Sequence, residues 1–145
     1  MMIKNYFKMT ILSNTKNEAF VRTTVAAFCS ELNPTIEEIN DVKTAVSEAF
    51  TNCIVHAYNN ESKEVVIETV IYENSVEIKI IDSGIGVADV QKAMEPFYTT
   101  KPEQERSGMG FTLMQAFMDD VKVISEVGKG TTVIMTKKMP KNAVA

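Results

Sequence analysis

Hydrophobic residues recur along the chain with a period that changes between two and about 3.6, which predicts strands and helices in turn. Residues 1–12 are predicted to form a strand. Thr15 followed by Glu18 has the spacing of a capping box and predicts the start of a first helix. We expect this helix to end at Asn33, because Pro34 disfavours helical backbone in the residue before it. Its predicted core face comprises Phe20, Thr24, Ala27 and Phe28.

A second capping box, Thr35 with Glu38, predicts the start of the next helix. We expect this helix to run to about Ala57. One side of it is apolar at helical spacing and should face the core. The predicted core residues of this side are Ile36, Ile39, Val42, Ala45, Val46, Ala49 and Cys53.

Four further segments are rich in β-branched residues or alternate in polarity, and they predict two hairpins. The predicted hairpins pair 64–72 with 76–82 and 121–126 with 131–138, and two more helices are predicted at 87–94 and 108–117. This order predicts an α+β fold, a two-layer α/β sandwich in which helices cover one face of a mixed, mostly antiparallel sheet.

The chain has 145 residues, which predicts a single domain over 1–145. Its net charge of −4 argues against a nucleic-acid backbone as the main partner. We find neither an apolar run long enough for a bilayer nor an export signal, so we expect no membrane association and a cytoplasmic location. Cys29 and Cys53 match no metal-ligand spacing and are expected to be buried, reduced and structural.

Three polar residues, Glu48, Asn52 and His56, follow one another at intervals of four in the second predicted helix. This spacing places them on one side of the helix. A solvated polar stripe would explain an isolated pair, but asparagine is a poor choice in mid-helix without a further role. Asn52 suits Mg²⁺, which prefers oxygen ligands and takes few of them from protein. Glu48 suits a general base acting on a hydroxyl that attacks phosphate, and His56 a hydrogen-bonding residue beyond the metal.

Asp82 closes a predicted strand and is followed by Gly84 and Gly86. A plain turn after a strand would explain these residues alone. In a binding site, the carboxylate would accept a hydrogen bond from the exocyclic amine of adenine, and the glycines would make room for the ring. Gly108 and Gly110 open a predicted helix, where backbone N–H groups would point at phosphate. The ordered set predicts a site for a nucleotide with magnesium.

Between these motifs, residues 83–107 are rich in glycine, proline and paired threonine. A long segment of this kind in a compact domain is often a lid. We expect residues 95–107 to be mobile without nucleotide and ordered by its γ-phosphate. Lys101 and Arg106 would supply positive charge to the phosphates.

Together these motifs resemble the ATP-binding fold shared by gyrase B, Hsp90, histidine kinases and MutL. Within that fold the chain resembles, nearly end to end, the anti-sigma F factors, the sporulation branch of the small serine kinases that act as anti-sigma factors. The stretches that carry the resemblance include HAYNN, FYTTKPEQERSGMGFTLM and SEVGKGTTV.

The resemblance implies an ATP lid and a role for each matching residue. Glu48 would be the catalytic base, Asn52 the Mg²⁺ ligand, and Arg22 a partner-binding residue on the first helix. The positions that would bind ATP or ADP are Asn52, His56, Asp82, Gly84, Gly86, Thr99, Thr100, Lys101, Arg106, Ser107, Gly108, Met109, Gly110 and Thr131.

The resemblance also implies partners: sigma F, an anti-anti-sigma protein phosphorylated on serine, and a second copy of the chain joined through the first strands. Arg22 is expected to point to solvent, since the predicted core face of its helix lies elsewhere. Two alternatives stay open at this point. One is that the chain is a stress-response anti-sigma B kinase, and the other is that it is a nucleotide-gated binding module without phosphotransfer. A third, an orphaned sensor-kinase domain, has less support.

Overall fold

The computed structural model describes residues 2–95 and 110–140. Within those ranges the chain forms five strands and four α-helices. The strands are β1 (Asn5–Leu12), β2 (Glu64–Ile71), β3 (Ser75–Asp82), β4 (Asp120–Glu126) and β5 (Gly130–Lys138). The helices are α1 (Glu18–Cys29), α2 (Ile36–Asn52), α3 (Val90–Ala93) and α4 (Gly110–Phe117). None of the helices in the described ranges is long and apolar enough to cross a bilayer.

The five strands form one sheet in the order β1-β2-β3-β5-β4. The predicted α+β fold is confirmed, and both predicted hairpins are present. The expected mixture of strand directions is not observed, because each neighbouring pair among the described strands is antiparallel. Buried and half-buried residues alternate along β2 and β3, so one face of the sheet packs against the helices. β3 is the central strand, and it carries Asp82 at its end.

The buried face of α1 differs from the predicted one. Phe20 is 56% exposed, and the buried side consists of Val21, Val25, Ala26 and Cys29. Apolar residues occur on nearly every side of this helix, so its periodicity alone does not select the face that packs. Phe28 is partly buried, with its ring centroid 4.7 Å from that of Phe7 on β1 in an edge-to-face arrangement.

The first predicted capping box is wrong, because Glu18 does not fold back onto Thr15. The side chain of Asn14 accepts a hydrogen bond from the Lys16 N–H and caps a 3₁₀ turn instead, and α1 begins only at Glu18. The second box is confirmed. Thr35 Oγ1 accepts from the Glu38 N–H at 3.1 Å, and Glu38 Oε1 accepts from the Thr35 N–H at 2.8 Å.

The predicted core face of α2 is confirmed except at Ile36, which is 80% exposed in the first turn. The helix continues beyond Asn52 as a π-turn over Cys53–Ala57. The Tyr58 N–H closes this turn on the Cys53 carbonyl at 3.0 Å. Single π-turns of this kind are frequent at functional sites, and this one places Cys53 beside the end of β3.

Candidate active site

The start of α4 meets the polar side of α2. A Cβ atom placed on Gly110 would lie 3.3 Å from Asn52 Oδ1 and 3.4 Å from Glu48 Oε2. The two side-chain oxygens therefore converge on one point, as the spacing of four residues predicted. Glu48, Asn52 and His56 are each half-buried. The absence of a side chain at Gly110 keeps the space in front of both oxygens open.

Asp82 lies at the end of β3 with 7% of its surface exposed. Its Oδ1 atom accepts two backbone hydrogen bonds, from Gly84 at 2.9 Å and from Thr131 at 3.1 Å. Its Oδ2 atom accepts from the Cys53 thiol at 3.6 Å. Burial raises the pKa of Asp82 above its ordinary value, and these hydrogen bonds offset part of that rise.

Both cysteines are buried, as predicted. Burial raises the pKa of Cys29 to about 12. The pKa of Cys53 is raised well above its ordinary value, first by burial and then by the charge of Asp82 and the hydrogen bond to it. Cys53 therefore stays a protonated thiol that can donate to Asp82. Hydrophobic periodicity alone could not reveal this contact, because it identifies Cys53 only as a core residue.

The glycines after Asp82 make room for protein backbone. A Cβ atom on Gly84 would overlap the carbonyl of Ala57, and one on Gly86 would overlap the carbonyl of Glu126. Gly86 also has φ +77°, which side chains rarely adopt. The glycines were expected to leave space for a ring, but protein backbone fills the space where their Cβ atoms would lie. The two glycines let the loop close against the π-turn after α2 and against the turn between β4 and β5.

The loop after β3 is held by a series of backbone hydrogen bonds. The Ser83 N–H donates to the Tyr58 hydroxyl at 2.7 Å, and the Ile85 N–H donates to the Ala57 carbonyl at 3.1 Å. The Val87 N–H donates to Ser125 Oγ at 2.7 Å. Ser125 is not predicted from the sequence, since a serine near the end of a strand carries no signal in its pattern or spacing.

Thr131 is buried next to Asp82, as its register opposite Asp82 on β5 requires. Several other predicted site residues lie outside the described residues, and so does the predicted lid. They are Thr99, Thr100, Lys101, Arg106, Ser107, Gly108 and Met109. Residues 2–95 and 110–140 contain no group of three or more His, Cys, Asp or Glu side chains that could hold a metal ion.

Arg22 was expected to point to solvent, but an ion pair holds its side chain. Its Nη1 atom lies 2.6 Å from Glu18 Oε2, and 35% of its side chain is exposed. The other carboxylate oxygen of Glu18 accepts from the Ser47 hydroxyl at 2.5 Å. Arg22 is therefore held on the surface of α1 by a carboxylate that is itself fixed to α2.

The arrangement places a carboxylate and an amide oxygen together at the start of a helix, with a second, buried carboxylate at the end of the central strand. The first pair can accept a proton and offer a hard oxygen ligand. The second carboxylate is an acceptor for a donor group on a bound molecule. These are the groups that a site for phosphoryl transfer from a nucleotide needs.

Comparison with known proteins agrees with this chemistry. Residues 12–137 match the model of the histidine kinase-like ATPase domain. The chain is 54% identical to the anti-sigma F factor of Clostridium acetobutylicum, over 94% of this chain and 96% of that protein. It is also 54% identical to the anti-sigma F factor of Caldanaerobacter subterraneus subsp. tengcongensis, over 95% of this chain and 96% of that protein.

Two solved structures share the fold. The RsbU and RsbW domains of a Mycobacterium tuberculosis protein match with a TM-score of 0.70 over 97% of this chain and 34% of that chain. Full-length ShkA in complex with AMPPNP matches with a TM-score of 0.59 over 92% of this chain and 32% of that chain. Sequence identity to each is 18%, so these two matches show the fold alone.

Proposed function

We propose that the chain is an ATP-dependent protein serine kinase that also sequesters sigma F. The premise is that it belongs to the histidine kinase-like ATPase domain family and, within that family, to the anti-sigma F factors. Membership gives the chain a kinase-type use of ATP and an anti-sigma role. The serine target, the identity of the sigma factor and the residue roles are our proposals. The observation that carries the residue roles is the convergence of Glu48 Oε2 and Asn52 Oδ1 on Gly110, and the similarity to anti-sigma F factors supports the proposed partners.

Asp82 is proposed to recognise the adenine base. Its Oδ1 atom is occupied by two backbone N–H groups, whereas Oδ2 accepts only the Cys53 thiol within the described residues. A carboxylate oxygen has lone-pair capacity beyond one such bond, which suits the exocyclic amine of adenine. Gly84, Gly86 and Thr131 would shape this part of the site by holding the loop and the carboxylate in place.

Glu48 is proposed to be the general base. In the reaction, the serine hydroxyl of the partner gives its proton to the Glu48 carboxylate while its oxygen attacks the γ-phosphorus. The bond from that phosphorus to the bridging oxygen of ADP breaks, and ADP leaves. The half-burial of Glu48 and its position beside Asn52 support this role.

Asn52 is proposed to bind Mg²⁺, and His56 to support the site from the π-turn. An amide oxygen with few other protein ligands nearby fits an ion that keeps several waters and phosphate oxygens. When bound, Mg²⁺ would neutralise charge on the phosphates. By resemblance, Thr99, Thr100, Lys101, Arg106, Ser107, Gly108, Met109 and Gly110 would surround those phosphates.

The proposed partners are sigma F, a small anti-anti-sigma protein with an acceptor serine, and a second copy of the chain. Support for a homodimer joined through β1 comes from the position of that strand at the edge of the sheet. An edge strand presents unpaired backbone groups to a neighbour. Tyr6 and Leu12 on β1 are 69% and 50% exposed, which adds apolar area.

Sigma retention by the immobilised protein tests the proposal. We expect sigma F to be held with Mg-ATP and released with ADP, and labelled phosphate to pass from ATP to the anti-anti-sigma protein.

Arg22→Ala should lower sigma retention at least tenfold while leaving ATP affinity unchanged, since arginine is a frequent interface hot spot. Glu18→Gln is the matched control, because it releases Arg22 without removing it. Equal retention with ATP and ADP would contradict the anti-sigma proposal, and equal retention by wild type and Arg22→Ala would contradict the role of Arg22.

A further inference from the structure

Ser125 links three parts of the proposed base site. In the register of the sheet it lies opposite Thr131, which in turn lies opposite Asp82. The three residues therefore form a row across β3, β5 and β4. Asp82 and Thr131 are buried and Ser125 is half-buried, which is consistent with all three lying on the helix side of the sheet.

Hydrogen bonds join this row to the loop after β3 in a closed ring. Ser125 Oγ lies 2.7 Å from Thr131 Oγ1, and the Thr131 N–H donates to Asp82 Oδ1 at 3.1 Å. Asp82 Oδ1 also accepts from the Gly84 N–H at 2.9 Å. The ring closes at the far end of the loop, where the Val87 N–H donates to Ser125 Oγ at 2.7 Å.

The hydroxyl of Ser125 fits this position because it donates and accepts at once. It accepts from Val87 and donates to the Gly130 carbonyl at 3.1 Å, and in its hydrogen bond with Thr131 Oγ1 either hydroxyl can be the donor. Removing the hydroxyl would leave the Val87 N–H without this acceptor and would release the hydroxyl of Thr131. The Val87 end of the loop would then be less fixed relative to Asp82.

We infer that Ser125 is a positioning residue for base recognition. It anchors Val87, at the end of the loop, to β4, and through Thr131 on β5 it fixes the orientation of the Asp82 carboxylate. Asp82 Oδ2 is thereby presented to the exocyclic amine of adenine. This inference rests on the proposed binding of ATP at Asp82 and adds a residue that does not itself touch the nucleotide.

Selectivity between bases separates this role from a merely structural one. Loss of a partly buried hydrogen bond of this kind corresponds to up to about a tenfold change in an equilibrium constant. For Ser125→Ala we expect ATP affinity to fall about tenfold and GTP affinity to stay unchanged, because guanine carries a carbonyl oxygen at C6, where adenine carries the amine that Asp82 would accept from. A merely structural effect would weaken both nucleotides by the same factor. Ser125→Thr, which restores the hydroxyl, should recover selectivity.

The experiment measures dissociation constants for ATP and GTP by titration, together with amide hydrogen exchange at Val87 in the nucleotide-free protein. Thr132→Val is the control, since Thr132 neighbours Thr131 on β5 but pairs with Ile124 and not with Ser125. We expect faster exchange at Val87 in Ser125→Ala alone. Should that variant not fold, Ser125→Cys keeps the size of the side chain with a weaker acceptor and should show a smaller loss of selectivity.

Equal losses of ATP and GTP affinity, or unchanged selectivity with unchanged exchange at Val87, would overturn the inference. Failure of the proposed function has a different signature. In that case the wild type itself would not prefer ATP to GTP, whatever the behaviour of the Ser125 variants.

Discussion

Asp82 is the residue in which stability and proposed function are most directly opposed. Its carboxylate is nearly fully buried, and burial raises its pKa above the ordinary value of 3.8. The folded protein therefore holds an ion that would be better solvated in the unfolded chain. Backbone N–H groups from Gly84 and Thr131 compensate for part of this loss. A buried carboxylate with a raised pKa is typical of a group kept for binding or catalysis.

Asp82→Asn should keep or raise the stability of the nucleotide-free protein at pH 7 while lowering ATP affinity roughly 10- to 100-fold. The asparagine oxygen can still accept from Gly84 and Thr131, but its amide donates where an acceptor is needed. Titration with ATP and thermal unfolding measure the two effects. Undiminished ATP affinity would remove Asp82 from base recognition.

The difference in stability between the wild type and Asp82→Asn should depend on pH. The pKa of Asp82 is higher in the folded than in the unfolded chain, so the native state binds the proton more tightly. The free energy of unfolding of the wild type should therefore rise relative to Asp82→Asn as the pH falls through the folded pKa, with the full gain reached below 3.8. Chemical denaturation at several pH values measures this difference. A gap between the two proteins that does not change with pH would contradict the assignment.

At the scale of elements, the proposed site depends on how closely α4 approaches α2. Gly110 permits this approach, since an added Cβ would meet Asn52 and Glu48 at 3.3–3.4 Å. Alanine is intrinsically about 1 kcal/mol better than glycine within a helix. Gly110 opens α4, where this preference is weaker, and its close approach to Glu48 and Asn52 favours glycine at this position.

Gly110→Ala should consequently leave the melting temperature unchanged or higher, while phosphotransfer falls about tenfold because Glu48 and Asn52 must shift by a few tenths of an ångström. Kinase assays and calorimetry on the same preparation would measure both. Gly128→Ala is a useful comparison, since nothing lies within 4 Å of a Cβ there, although φ +82° makes it strained. Wild-type phosphotransfer in Gly110→Ala would contradict the proposed geometry.

Local signals in the sequence predicted the elements well. The capping box at Thr35 and Glu38 is present, whereas the one predicted at Thr15 and Glu18 is not, because the Glu18 carboxylate bonds Arg22 and Ser47 instead. The two hairpins follow from short-range alternation of polarity. The predicted core face of α1 was wrong because apolar residues surround this helix. Tertiary packing alone therefore decides that Val21 is buried and Phe20 is exposed.

Contacts between residues that are far apart in the sequence could not be predicted from it. The thiol of Cys53 reaches Asp82 only because the helix ends in a π-turn, which has no pattern of its own. Likewise, the missing side chains of Gly84 and Gly86 are required by the carbonyls of Ala57 and Glu126, which are remote in sequence. Residue types predict the motif, whereas its packing depends on residues that are far apart in the sequence.

At the scale of the whole molecule, the two edges of the sheet make the dimer proposal testable. Tyr6 on β1 and Ile124 on β4 lie on opposite edge strands and are similarly exposed, at 69% and 63%. If two copies join through β1, Tyr6→Asp should weaken dimerisation at least tenfold, because tyrosine is often an interface hot spot. Ile124→Asp should have no effect. Light scattering over a range of concentrations measures this, and a larger effect of Ile124→Asp would place the interface elsewhere.

Phosphotransfer by Glu48→Gln tests the proposed kinase activity most sharply. Glutamine preserves the size of the side chain beside Gly110 but cannot accept the proton of the attacking serine. We predict nearly unchanged ATP affinity and a rate of serine phosphorylation at least about 10²-fold lower than that of the wild type. The measurement is transfer of labelled γ-phosphate to the anti-anti-sigma protein at saturating Mg-ATP. Transfer by Glu48→Gln at the wild-type rate, or no transfer by the wild type, would contradict the account.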